Sequence, residues 1–130
     1  MRKLQVLLCL FGLILAVSCA ADQGNSSGEG PGLSGRIENG VRIIAVKASS
    51  YKFEPDPIVV KLGEKVRLVV TSTDVAHGLA IAEFKLRISI PAGKTETVEF
   101  IADKKGTFQM RCSVYCGPGH GQMRGELIVR

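Results

Sequence analysis

Phe108-Gln109-Met110-Arg111-Cys112-Ser113-Val114-Tyr115-Cys116-Gly117-Pro118-Gly119-His120-Gly121-Gln122-Met123 changes character half-way along. Phe108, Met110 and Cys112 alternate with Gln109 and Arg111, the period of two that marks a half-buried strand. Gly117, Pro118, Gly119 and Gly121 then break the pattern and mark a loop. Strand parity puts Cys112 on the same face as Phe108 and Met110, at the strand's end. A thiol is thereby delivered to one end of whatever core the strand joins.

Working outward, the same alternation recurs. Val66, Leu68 and Val70 form one inward set; Leu86, Ile88 and Ile90 form another; Val98 and Phe100, then Leu127 and Val129, supply two more. Val41–Lys47 and Ile58–Lys61 read as further strands, separated by the turn signals Pro55-Asp56-Pro57, Gly63-Glu64, Pro91-Ala92-Gly93 and Lys104-Lys105-Gly106. No stretch carries a helical period. Short strands about ten residues apart, joined by polar turns, predict an all-β sandwich or barrel over 41–130.

The chain's 130 residues suffice for one domain, and 45% apolar with 22% charged residues is a globular composition. Trp is absent, so the core rests on Val, Ile and Leu. The net charge is +5, yet within 41–130 the basic residues are scattered and Lys104-Lys105 is their only adjacent pair. Nucleic-acid binding would ask for a cluster with stacking aromatics, so no such partner is expected. A basic domain instead favours an acidic partner or an anionic surface.

The N-terminus reads as an export signal. Met1-Arg2-Lys3 is a basic start, and Leu4–Val17 is an apolar run of 14 residues, too short to span a bilayer. It ends in Ala16-Val17-Ser18-Cys19, similar to a bacterial lipobox, with Cys19 as the lipidated first residue. Ordinary cleavage after Ala20 or Ala21 is the alternative. The expected organisation is a lipoprotein-type signal over 1–18, a flexible Gly/Ser-rich tether over 19–40 and the β domain over 41–130. Membrane attachment would be by lipid anchor only, in the bacterial periplasm or at the cell surface. The 21 residues from Ala20 to Gly40 would have a root-mean-square reach of roughly 25 Å.

Cys9 lies in the signal and Cys19 at its end, which leaves Cys112 and Cys116 for the domain. The chain's two histidines are His120, in the same loop, and His77 in Asp74-Val75-Ala76-His77-Gly78. Two thiols, two imidazoles and the Met123 thioether form a soft donor set that suits copper. A plain disulfide in an oxidising compartment, or a closed zinc site of two Cys and two His, are the other readings of the cysteines. Zinc leaves Met123 without a part.

Cys-Ser-x-x-Cys-Gly-x-x-His-x-x-Met with the upstream Asp-Val-x-His-Gly resembles the binuclear CuA motif of cytochrome c oxidase subunit II and nitrous-oxide reductase. Tyr51–Ile58 is also similar to the first strands of the ba3-type oxidase subunit. The resemblance runs from about Val46 to Val129 and implies the cupredoxin-like Greek-key β-sandwich. It implies that Cys112 and Cys116 bridge two copper ions, that His77 and His120 each cap one, and that Met123 and the Val114 backbone carbonyl are weak ligands. The role implied is electron relay, with no catalytic residue. A redox partner such as a cytochrome c or a terminal oxidase or reductase is implied, and a copper chaperone for loading. Three departures stand out: only a short apolar run precedes the domain, where the family has one or two transmembrane helices. Val114 stands where many subunits carry a Glu that holds a divalent ion, and no Trp is available for electron entry. Two further functions fit the ligands. One is copper delivery or storage on the same Cys/His/Met set; the other is a mononuclear blue-copper site on His77, Cys116, His120 and Met123, which leaves Cys112 idle.

Overall fold

The computed structural model describes residues 32–130. The signal segment, Cys19 and the tether as far as residue 31 lie outside the described residues. Ten strands follow one another: β1 (Arg36–Glu38), β2 (Val41–Ser49), β3 (Lys52–Glu54), β4 (Ile58–Val60), β5 (Lys65–Ser72), β6 (His77–Ile81), β7 (Leu86–Ile90), β8 (Thr95–Ile101), β9 (Gly106–Arg111) and β10 (Arg124–Val129). Among the described residues the only helical pieces are single 3-10 turns at Ala82–Phe84 and His120–Gln122.

The strands form two sheets. The first runs β1-β2-β5-β8, with β3 also paired to β2; the second runs β4-β10-β9-β6-β7. The pairs β2–β5 and β4–β10 are parallel and the others antiparallel. Such a mixture needs long crossovers between sheets rather than a chain of hairpins. Pro55-Asp56-Pro57 makes one of them: β3 belongs to the first sheet and β4 to the second. Two prolines suit that place, because neither can donate to a ladder.

Inward residues of both sheets fill the space between them. Ile44, Val46 and Ala48 of β2 and Val66, Leu68 and Val70 of β5 face Ile58, Leu79, Ile81, Met110 and Leu127 of the second sheet in one buried cluster. The expected parity holds, since Met110 and Cys112 are both buried and Gln109 and Arg111 exposed. Fully burying a Leu such as Leu68 contributes about 1.5–3 kcal/mol. The ladder thus fixes the end of β9, and Cys112 with it.

One expectation needs correction. The tether does not extend to residue 40, because β1 pairs antiparallel with β2 through Asn39-Gly40. Both turn residues have positive φ, 49° and 78°, as a two-residue type I′ hairpin requires. Ser34 is already held: its N–H donates to the Val59 carbonyl and its Oγ accepts from the Val59 N–H, both at 2.8 Å. β6 is a strand that no alternation announced. All five of its residues are buried, so the strand has no polar face to show.

One inward position of β2 is charged. Buried Arg42 donates from Nε and Nη2 to the Glu64 carboxylate at 2.5 and 2.8 Å, and from Nη1 to the Ser34 carbonyl at 2.8 Å. This fork closes the core at the end of β2 remote from Cys112.

Candidate metal centre

Three pieces of backbone meet at one end of the sandwich. His77 opens β6, Cys112 follows the last residue of β9, and Met123 precedes the first residue of β10. The Cys112 N–H donates to the Met123 carbonyl at 3.0 Å and closes the base of the 112–123 loop. Within the loop, Met123 and Gln122 donate to the carbonyls of His120 and Gly119, winding the turn that presents His120.

The loop seats against two neighbours with no room to spare. A Cβ on Gly78 would lie 2.3 Å from Ser113 Oγ and 2.9 Å from the Val114 nitrogen. One on Gly119 would lie 2.3–2.6 Å from ring atoms of Tyr51. Glycine at these positions lets the loop approach β6 on one side and the Tyr51 ring on the other.

Every predicted ligand of the domain arrives at this end. The Cys112 and Cys116 sulfurs are free thiols 3.7 Å apart. His77 Nδ1 lies 3.9 Å from the Cys112 sulfur, and His120 Nδ1 lies 3.6 Å from that of Cys116. Met123 Sδ is 3.8 Å from the Cys116 sulfur, and the Val114 carbonyl oxygen is 3.1 Å from the Cys112 sulfur. Two donors held at about 2.0–2.3 Å on one ion at tetrahedral angles stand roughly 3.3–3.8 Å apart, so the 3.6–3.8 Å spacings around Cys116 fit shared metal coordination and the 3.9 and 3.1 Å spacings at Cys112 lie close to it. His77 and Met123 are fully buried and the two thiols nearly so, whereas His120 reaches partial exposure. Cys19 falls outside the described residues.

The environment prepares the histidine and restrains the thiols. His77 Nε2 meets Asp74 Oδ1 at 2.6 Å, which turns Nδ1 toward the sulfurs as an acceptor. Burial acts to raise the Asp74 pKa. Hydrogen bonds from the Ser50 N–H, the His77 ring and the Val75 N–H outweigh it and hold the carboxyl at about 2. Burial, reinforced by the neighbouring Cys112, pushes the Cys116 thiol up to about 11. A cation bound at that sulfur would draw its proton off, so binding there would be coupled to proton release.

Sequence reasoning quoted Asp74 and Tyr51 within motifs but gave neither a role, and gave none to Tyr115. Asp74 lies three residues before His77, a signal readable only once His77 is taken as a ligand. Tyr115 is 75% exposed, with its ring 5.7 Å from that of His120. Its place between the two cysteines was the only sign of it.

Residues 42–129 match the family described as cytochrome C oxidase subunit II, periplasmic domain. The chain belongs to that family. It is 30% identical over 87 residues to cytochrome c oxidase subunit 2 of Thermus thermophilus, covering 67% of this chain and 64% of that protein. Nitrous-oxide reductase of Ralstonia nicotianae is 32% identical over 106 residues, covering 76% of this chain and 16% of that protein. The chain therefore spans just under two thirds of the first of these relatives and a small part of the second. The periplasmic domain of subunit II of the Bradyrhizobium japonicum cytochrome oxidase superposes with a TM-score of 0.63 at 23% identity, over 68% of this chain and 83% of that one. The β-sandwich expected of a cupredoxin-like protein is the fold observed. As a subunit II-like domain, the chain carries its His/Cys/Cys cluster of His77, Cys112 and Cys116 at the end of the sandwich where the Cys112–Met123 loop closes.

Proposed function

We propose that this domain is an exported electron relay holding two copper ions in a binuclear CuA centre. Cys112 and Cys116 would bridge the ions, His77 and His120 would cap them, and Met123 Sδ and the Val114 carbonyl would be the weak ligands. The observation carrying this reading is the number of donors. Two sulfurs, two imidazole nitrogens, a thioether and a carbonyl oxygen gather around one pair of thiols, more than a four-coordinate ion accepts. A mononuclear blue site leaves Cys112 without a part, although Cys112 neighbours His77, Val114 and Cys116 alike.

When bound, the bridged copper pair supplies a site that gains and loses one electron with little change in its bonds. The chain's own residues do the rest. The hydrogen bond that His77 Nε2 donates to Asp74 fixes the imidazole, the Cys112–Met123 backbone bond fixes the loop ends, and burial of Met123 and both sulfurs excludes water. The domain would pass electrons between a donor such as a cytochrome c and a terminal oxidase or reductase. Export through residues 1–18, anchoring at Cys19 and copper loading by a chaperone belong to the same reading.

Copper analysis with a visible spectrum tests it. Two coppers per chain and a purple mixed-valence chromophore are expected. One copper with an intense blue band would mean a mononuclear site, and colourless Cu(I) would mean delivery or storage. Cys116→Ser should lose the binuclear spectrum. Its survival with two coppers would sink the assignment.

A further inference from the structure

Three arginines stand in one transverse row on the outer face of the second sheet. Arg87 of β7 is in register with Ala80 of β6, Ala80 with Arg111 of β9, and Arg111 with Arg124 of β10. All three arginines are exposed, and among the described residues none makes a salt bridge. Like charges directly across a ladder are destabilising. The first sheet avoids this: Arg67 of β5 is in register with Glu99 of β8 and paired to it, and Lys65 joins the same carboxylate. Unpaired repulsion on one sheet, beside paired charges on the other, needs a reason outside the fold.

The row lies against the metal end. Arg87 donates to the Ser113 carbonyl at 3.3 Å and Arg124 to the Gly121 carbonyl at 3.1 Å, so both flank the ligand loop. A cleft of about 290 Å³ is lined by the three arginines together with Cys112, His120 and Met123. Tyr115, exposed against the His120 ring, adds an apolar contact near the same loop. Of the acidic residues on that sheet face, Glu126 lies two residues along β10 from Arg124, in register with Gln109.

We infer that the Arg87–Arg111–Arg124 row is the docking surface for a redox partner that presents a cluster of carboxylates, guiding it onto the His120 edge of the centre. The inference rests on the electron-relay reading and adds the partner's chemistry to it. Charge complementarity chooses this occupant: three cations with no internal counterion attract an acidic surface, raise its encounter rate and lose that advantage in salt. The apolar Tyr115 beside them supplies the short-range contact that charges alone do not give.

The test uses the copper-loaded chain, reduced and mixed with oxidised acidic plastocyanin or, for contrast, oxidised basic cytochrome c. One electron leaves the reduced protein and turns the acceptor's Cu(II) to Cu(I), or its haem Fe(III) to Fe(II); no bond or proton is exchanged. In the triple variant R87Q/R111Q/R124Q the low-salt rate with plastocyanin should fall about tenfold or more, and its salt dependence should flatten. The variant K61Q/K104Q/K105Q removes the same charge from turns at the opposite end and should keep the rate. Equal slowing by the lysine variant, or none by the arginine variant, would overturn the docking surface. A second arm needs no metal: titrating plastocyanin into the apo chain should shift the amide resonances of Arg111, Gly121 and Arg124. Shifts confined to another face would overturn it as well. A chain that takes up no copper would overturn the relay reading instead, while the apo shifts still decide where an acidic protein docks.

Discussion

Asp74 Oδ1 and His77 Nε2 lie 2.6 Å apart, so the carboxylate fixes which ring nitrogen of a fully buried histidine faces the two sulfurs. The same carboxylate accepts the Ser50 N–H at 2.7 Å and the Val75 N–H at 2.7 Å, tying the end of β2 to the start of β6. Asp74→Asn keeps the side chain's shape and removes its charge. Copper affinity, read by competition with a chelator, should fall about 10–100-fold, the usual cost of losing an outer partner of a ligating histidine. Unchanged affinity would show that His77 needs no such support.

Gly78 is where the ligand loop touches β6. Gly78→Ala would force Ser113 Oγ and the Val114 nitrogen to move, since the new Cβ would stand 2.3 and 2.9 Å from them. Destabilisation of about 1–3 kcal/mol in urea unfolding is expected, the range for overpacking. Copper content per chain should drop alongside it. A variant with parental stability and full copper would mean the loop yields freely.

Acid should weaken the fold through the Arg42–Glu64 fork. The hydrogen bond from Arg42 holds the Glu64 carboxyl below its ordinary value, against the opposing effect of burial. A depressed folded-state pKa gives stability that is present above the unfolded value and lost as pH falls through the folded one. Glu64→Gln should therefore be less stable than the parent near neutrality and lose less stability as pH falls below the ordinary carboxylate range. Parallel stability curves for the two proteins would remove Glu64 from the acid response. Arg42→Ala should cost about 3 kcal/mol or more at neutral pH, because it strands a partly buried carboxylate.

Cys19→Ala tests the anchor. It should move the domain from the membrane fraction to the soluble one, or block processing of the signal. Parent and variant both found soluble would show that Cys19 carries no lipid.

Sequence alone determined the sandwich and picked out the candidate donors. Where a strand has one face in the core and one in water, its apolar residues recur every second position, as Val66, Leu68 and Val70 do. That pattern survives in one dimension. The residues proposed as ligands were equally legible, because four of them fall within twelve residues of one loop and the chain offers only two histidines. Asn39-Gly40 was a hairpin signal of the same local kind, hidden among the glycines assigned to the tether. Tertiary structure alone decided the rest. β6 is covered on both faces, so His77–Ile81 carries no alternation to read. Arg42 counts as an inward residue only because Glu64 and the Ser34 carbonyl, far apart in sequence, meet it there. Arg87, Arg111 and Arg124 are scattered single charges until strand register places them in a line. Period and spacing are properties of neighbouring residues, which the sequence lists in order. Register between distant strands depends on how whole hydrophobic faces pack, and no local pattern encodes it.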